Sequence, residues 1–289
     1  MSLRVIARLD IKGPNLVKGI HLEGLRVLGK PEDFAGYYYD QGADELVYMD
    51  VVASLYQRNN LLEIVRKTSR EIFIPLTVGG GLRTLDDIRN VLRAGADKVA
   101  LNTAAIADPQ LIRKAAETFG ASTVVVSIEA IRRPDNTYEA FTDNGRESTG
   151  VNALDWAIRA AELGAGEILL TSIDREGTGK GYDLELTELV SKSVTIPVIA
   201  AGGAGSIQHV HDVVAAGADA VCIASMLHYE FIQNSARTGD FSAEGNVEYL
   251  SSGRTFSVIS PATLPQIKAY LGDHGVQCRP CQEHVSRAR

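Results

Sequence analysis

The chain has 289 residues, 45% of them hydrophobic, which is enough apolar surface for one large core. Its formal net charge of −7 argues against a nucleic-acid surface. No apolar run approaches membrane-spanning length and no secretory leader pattern opens the sequence, so neither a membrane nor an export route is expected. The three cysteines, Cys222, Cys278 and Cys281, are too few for a disulfide framework and point to a cytoplasmic setting.

Taken in chain order, apolar runs fall at about 4–10, 45–50, 74–78, 98–102, 124–129, 167–172, 196–200 and 220–224, with amphipathic helix patterns between them. Residues 74–103 read IPLTVGGGLRTLDDIRNVLRAGADKVALNT and residues 196–225 read IPVIAAGGAGSIQHVHDVVAAGADAVCIAS. Pro75 and Pro197, Gly80 and Gly202, Gly95 and Gly217, and Thr103 and Ser225 are each 122 apart. The match extends outward: Gly42-Ala43-Asp44-Glu45 answers Gly164-Ala165-Gly166-Glu167 at the same spacing, and Val5 to Asp10 answers Val124 to Glu129. A period this long marks a duplicated half-domain, since solenoid repeats are much shorter. Four βα units in each half predict an α/β fold, a (β/α)8 TIM barrel built from two half-barrels. A doubly wound open sheet is the alternative; symmetric halves favour closure.

The barrel is expected over residues 1–275, with a last helix at 261–273 and a tail at 276–289. The stretch 235–260 is polar and Gly/Ser-rich and reads as an inserted loop, either covering the barrel mouth, meeting a partner or disordered. Cys278-Arg-Pro-Cys281 has zinc-knuckle spacing, but no second pair completes four ligands. The tail therefore reads as reduced and poorly ordered, and neither a metal nor a cofactor is expected.

Chemistry in such a barrel sits at the C-terminal strand ends. These ends carry Asp10, Asp50, Gly79-Gly80-Gly81, Asn102-Thr103, Glu129, Ser172 with Asp174, Gly202-Gly203 and Ala224-Ser225. Asp10 and Glu129 close equivalent apolar strands, where desolvation tunes a carboxyl for proton transfer. The bland alternative is a pair of rim carboxylates bridged to Lys12 or Arg132. The glycine clusters open helices, as do Asn102-Thr103 and Ala224-Ser225, and bare amides at a helix start bind phosphate. One copy would be weak, since glycine is common in tight turns; two copies suggest a substrate with a phosphate at each end. At the opposite face, Arg4, Glu45, Lys98 and Glu167 fall at strand starts. Two bases and two acids there can close a ring around the axis, although plain surface charge has the same pattern.

These stretches carry a family resemblance. With Leu9-Asp10 and Val17-Lys18-Gly19, GADELVYMD, FIPLTVGGGLRT, GADKVALNTAA, GAGEILLTSIDREGT, GYDLEL and IPVIAAGGAG, the chain resembles the cyclase subunit of imidazole glycerol phosphate synthase, the HisF family, from about residue 4 to 230. The resemblance implies a cyclase that takes ammonia from a glutaminase docked on the bottom face. That ammonia would pass a salt-bridge gate of Arg4, Glu45, Lys98 and Glu167 and react with a bis-phosphorylated ribulosyl nucleotide. By position it implies Asp10 and Glu129 as catalytic carboxylates and Lys18 as a flexible-loop lysine. Substrate and phosphate contacts fall on Asp50, Gly80, Gly81, Asn102, Thr103, Thr171, Asp174, Glu176, Gly177, Gly202, Gly203, Ala224 and Ser225.

The departures cluster at the mouth. Glu129 and Glu176 stand where the family has aspartate, which moves each charge by about 1.5 Å, one bond length. Displacements near 1 Å can cost roughly 100-fold in rate. Arg8 replaces a usual cysteine, and Asp10-Ile-Lys-Gly-Pro-Asn15 replaces a usual Lys-Asp-Gly-Arg. The segment LDIKGPNLVKGIHLEGLRVLG is similar to a paralogous branch linked to acetamidino groups on surface-polysaccharide sugars, which would imply a sugar amidotransferase as a further partner. A non-catalytic scaffold that activates a glutaminase is a third reading.

Overall fold

The computed structural model describes residues 2–52, 61–234 and 258–281. Most of the expected inserted loop, 235–257, and the tail at 282–289 lie outside the described residues. Twelve strands are present among the described residues. The first six are β1 (Arg4–Lys12), β2 (Asn15–Ile20), β3 (Glu23–Gly29), β4 (Glu45–Asp50), β5 (Leu76–Gly79) and β6 (Lys98–Leu101). The second six are β7 (Val124–Arg132), β8 (Tyr138–Thr142), β9 (Glu147–Asn152), β10 (Glu167–Ser172), β11 (Val198–Ala201) and β12 (Ala220–Ile223). Eight of them pair in parallel in the order β1, β4, β5, β6, β7, β10, β11, β12, and β12 pairs back to β1 with Arg4 opposite Ala220. The sheet closes, with helices between strands, as a (β/α)8 TIM barrel. No helix among the described residues is long and apolar enough to cross a membrane.

The equivalent strands β5 and β11 begin two residues later than the apolar runs suggest. Pro75 and Pro197 have no N–H to give a ladder, so each serves only as an acceptor, from Leu46 and Ile168. The Gly-Ala-Asp motif recurs for a reason that the ladder also supplies. The Asp44, Asp97 and Asp219 carboxylates accept the backbone N–H of Val5, Leu76 and Val198 at 2.8, 2.9 and 2.9 Å. The fourth copy has Gly166 instead, where a Cβ would stand 2.3 Å from the Ala121 carbonyl oxygen.

Two antiparallel hairpins, unforeseen in the sequence, complete the duplication. One, β2–β3, grows from β1 with Asp10 opposite Val17; the other, β8–β9, grows from β7 with Glu129 opposite Phe141. Both rise from the C-terminal strand ends, directly over the mouth. The Asp143-Asn144-Gly145 turn of the second has three residues at positive φ, a conformation that these three types tolerate best.

Alternation along the strands sorts two cores. Val5, Ala7 and Leu9 face the helical layer, while Ile6, Val47, Val125, Leu169, Ile199 and Cys222 fill the barrel. The same parity sends Arg4, Arg8 and Asp10 inward from β1. The tail corrects an expectation: residues 276–281 are packed on the body rather than loose. Leu3 N–H donates to the Gln277 carbonyl at 2.7 Å, and Arg279 reaches Asp44 at 3.0 Å and the Ala43 carbonyl at 2.8 Å. The last helix, Leu264–Asp273, starts three residues later than expected, at a capping box of Thr263 and Gln266.

Candidate functional site

Asp10 and Glu129 lie buried at the mouth on equivalent strands. The partner of Asp10 is Arg8, whose Nε donates to Oδ1 at 2.8 Å, and not Lys12; Arg132 bridges instead to Glu185 at 2.9 Å. Burial alone would lower the Arg8 pKa, but Asp10 and then Glu176 raise it above its ordinary value. Arg8 Nη1 also donates to Thr171 Oγ1 at 3.3 Å, which places Thr171 on the inner wall rather than at the rim. Glu129 accepts from Asn102 Nδ2 at 3.1 Å. Burial raises its carboxyl to about 7, against the lowering influence of Arg8 and the Gly145 backbone N–H and with the help of Asp10 and Glu176. The two carboxylates are equivalent by descent but unequal in surroundings.

Lys18 departs from the expectation of a flexible-loop lysine. It sits on β2, 4% exposed, in a buried ion pair with Glu176. Gly177 beside Glu176 leaves room for the hairpin, since a Cβ there would stand 2.5 Å from the Gly19 carbonyl oxygen, and His21 N–H donates to the Glu176 carbonyl at 2.8 Å.

The duplicated glycine clusters are alike in backbone and unlike in room. Gly80, Gly81, Gly202 and Gly203 all have positive φ, and a Cβ on Gly80 would meet the Asp50 carbonyl oxygen at 2.3 Å. Asp50, Gly80, Gly81, Asn102, Thr103 and Glu129 line one cavity of about 380 Å³. Arg8, Glu176, Gly177, Gly202, Gly203, Ala224 and Ser225 surround a hollow of only about 10 Å³. Contrary to the expectation from the sequence, the glycines do not themselves start the following helices. Those helices, Leu85–Ala94 and Ile207–Ala215, begin at Thr84 and Ser206, whose side chains accept from the N3 amide. Thr103 and Ser225 do open helices, Thr103–Ala107 and Ser225–Asn234. Asp174 lies at the rim, accepting the Arg132 N–H at 2.9 Å.

At the other end of the barrel the four strand-start charges meet. Arg4 Nη1 stands 2.6 Å from Glu45 and 2.8 Å from Glu167; Lys98 Nζ stands 3.1 Å from Glu45 and 3.2 Å from Glu167. Each cation touches both acids, so the four form one closed ring. No cluster of three or more potential metal ligands occurs among the described residues.

Arg8 is the site residue that sequence reading underrated, since its charge inside RVIARLD was visible but not its grip on Asp10. Asn144, which lines the larger cavity from the second hairpin, was also missed; Asp143-Asn144-Gly145 was the available signal.

A closed barrel with paired carboxylates at one end, glycine-walled hollows beside them and a charged ring at the other end defines a duplicated (β/α)8 barrel of the enzyme type. The family model for histidine biosynthesis proteins matches residues 4–233, and the chain belongs to that family. It is 61% identical over 207 residues to the imidazole glycerol phosphate synthase subunit HisF of Legionella pneumophila, covering 72% of this chain and 98% of that protein. It is 52% identical over 229 residues to the HisF subunit of Streptomyces griseus and 50% identical over 230 residues to that of Alkaliphilus metalliredigens, each match covering 79% of this chain and 91% of the relative. Its place within the family is with HisF.

Proposed function

We propose that this chain is the cyclase subunit of an imidazole glycerol phosphate synthase, acting in histidine biosynthesis, with a HisH-type glutaminase as its partner in the complex. Ammonia released by the glutaminase enters past the ring of Arg4, Glu45, Lys98 and Glu167 and travels along the barrel interior. At the mouth it meets a bis-phosphorylated ribulosyl nucleotide, held by one phosphate in the cavity at Gly80, Gly81 and Thr103 and by the other at Gly202, Gly203 and Ser225, where the hollow of about 10 Å³ must widen to admit it. The products are imidazole glycerol phosphate, the aminoimidazole carboxamide ribonucleotide and water.

The observation that carries this reading is the unequal pair at the mouth. Condensation of ammonia with the substrate carbonyl moves protons from nitrogen to the oxygen that leaves as water, and departure of the carboxamide nucleotide requires one more. Asp10, ion-paired to Arg8, supplies a carboxylate that accepts. Glu129, with its carboxyl raised to about 7, supplies a group that donates near neutral pH. Lys18, ion-paired to Glu176, offsets the carboxylate that lines the second anion cradle.

The test is turnover by the purified chain with ammonium salt and the histidine-pathway nucleotide; a folded protein that forms no imidazole glycerol phosphate removes the reading. Asp10→Asn with product lost and glutaminase binding retained excludes a pure scaffold. A second reading draws on the charged Arg8 and the longer Glu129 and Glu176 at the mouth, beside a ring that keeps its charges. In it the same ammonia serves a sugar amidotransferase, and turnover appears only when that partner and its sugar substrate are supplied.

A further inference from the structure

Arg4, Ile6, Arg8 and Asp10 alternate along the inner face of β1, so Arg8 lies one level beneath Asp10 in the barrel core. Its guanidinium is held at two points, by Nε on Asp10 Oδ1 at 2.8 Å and by Nη1 on Thr171 Oγ1 at 3.3 Å, across to β10. Its Nη2 is buried with no hydrogen-bond partner among the described residues. The side chains of Arg8 and Asp10 are each only 3% exposed. A planar fork anchored twice has little rotational freedom, so the Asp10 carboxylate is oriented from below. Glu129 has neutral hydrogen-bond partners instead, the Asn102 amide and the Gly145 backbone N–H.

We propose that Arg8 is a positioning residue for proton transfer at this mouth: anchored on Thr171, it fixes the Asp10 carboxylate as the acceptor and leaves Glu129 as the donor. It acts through Asp10; a contact of its Nη2 with an anion in the hollow that Arg8 also lines would show instead as a change in KM. The inference rests on the proton-transfer reading above and assigns what that reading leaves open, namely why two equivalent carboxylates take different parts. The charged and titratable groups that bear on Arg8 are Asp10 on its own strand, Glu129 on β7, Glu176 after β10 and Cys222 on β12. Lys18 on β2 pairs with Glu176, and His228 on the helix Ser225–Asn234 feels both of them.

The experiment is the pH profile of kcat and kcat/KM for the full chain, with ammonium salt and the nucleotide, in wild type, Arg8→Gln, Arg8→Lys and Thr171→Val. Arg8→Gln should lower kcat by roughly 100-fold, the usual effect of an ångström-scale misplacement, with KM changed by less than about threefold. Arg8→Lys, which keeps the charge but not the fork, should recover about tenfold of that loss. The limb belonging to Glu129 should move upward from about 7 in Arg8→Gln, because the Arg8 charge opposes protonation of that carboxyl. Thr171→Val removes one anchor and no charge, so it should lower kcat by about threefold to tenfold and leave the limb in place. Wild-type kcat and an unmoved limb in Arg8→Gln overturn the proposal, as do equal losses in Arg8→Gln and Arg8→Lys with the limb unmoved. If Arg8→Gln does not fold, wild-type kcat in both Arg8→Lys and Thr171→Val overturns it. A wild-type protein without turnover removes the proton-transfer reading and this inference with it, whereas normal turnover indifferent to Arg8 removes this inference alone.

Discussion

Glu45 and Glu167, 122 residues apart in the sequence, grip the same two cations: Arg4 Nη1 at 2.6 and 2.8 Å, and Lys98 Nζ at 3.1 and 3.2 Å. The duplication supplies both acids, and the cations lie between them. Removing one acid leaves two partly buried cations sharing a single carboxylate. Glu167→Gln should therefore destabilise the fold by about 1–3 kcal/mol, below the 3–5 typical of a fully buried pair because Arg4 and Lys98 keep some access to water. Chemical denaturation measures this. In the complex, Lys98→Ala should lower glutamine-driven product formation by about tenfold or more while ammonia-driven formation stays within about twofold. A parallel fall in both would mean that the ring supports the fold and does not govern ammonia entry.

Glu129 makes a second prediction, in which rising pH lowers both quantities, stability between 4.5 and about 7 and activity above about 7. Its carboxyl is raised from 4.5 to about 7 by burial first, so it is mostly protonated below that pH and mostly ionised above it. If the protonated form donates, kcat should fall tenfold per pH unit above about 7. Glu129→Gln should lose roughly 100-fold or more, and with it that limb. For stability, the folded state binds the extra proton between pH 4.5 and 7, so unfolding free energy falls as pH rises across that window. Above it, Glu129→Gln should be the more stable protein, by on the order of 3 kcal/mol from the size of the shift. A variant no more stable than wild type at pH 8 would show that the carboxylate is better solvated than its burial implies.

Phe73 is 80% exposed and stands edge-on to Tyr39, with ring centroids 6.2 Å apart, just before β5 on the face that carries the charged ring. An aromatic ring held against a neighbour but open to water is the usual form of an interface anchor. Phe73→Ala should weaken binding of the glutaminase by about 2 kcal/mol, near thirtyfold in Kd, without changing ammonia-driven turnover or the melting temperature by more than about 2 °C. Titration calorimetry with the glutaminase reads this directly; unchanged affinity would place the interface away from Phe73.

How much of this was legible depended on whether a signal was local or distant. The barrel could be read because strand parity and the 122-residue spacing are backbone properties repeated in order. The ring could be read because four charges stand at strand starts with one parity. The hairpins could not: β2–β3 carries register shifts that break alternation, and Lys18 there points a charge into a buried position. The packed tail was also hidden, because its contacts join residues more than 230 positions apart, as with Arg279 and the Ala43 carbonyl. Arg8 was seen only as a departure, since sequence shows that a charge interrupts an apolar strand but not whether it turns toward Asp10 or away.

Lys18 and Glu176 provide the last prediction, because their ion pair joins the first hairpin to the barrel. Both side chains are nearly inaccessible, 4% and 6% exposed, so an unpaired partner would be a charge left in a low-dielectric site. Glu176→Gln should cost about 3–5 kcal/mol, because it strands the lysine. The double change Lys18→Met with Glu176→Leu should cost less than either single change, since it removes both charges and fills the space. Glu176→Asp is the informative case for function: it keeps the charge but withdraws it by about 1.5 Å, one bond length, which loosens the hairpin over the mouth. Amide exchange in residues 15–29 should then quicken by about tenfold or more while the barrel strands are unchanged, and KM for the nucleotide should rise if the hairpin closes on it. Unchanged exchange in Glu176→Asp would show that the turn contacts at His21 and Gly177, and not the ion pair, hold the hairpin down.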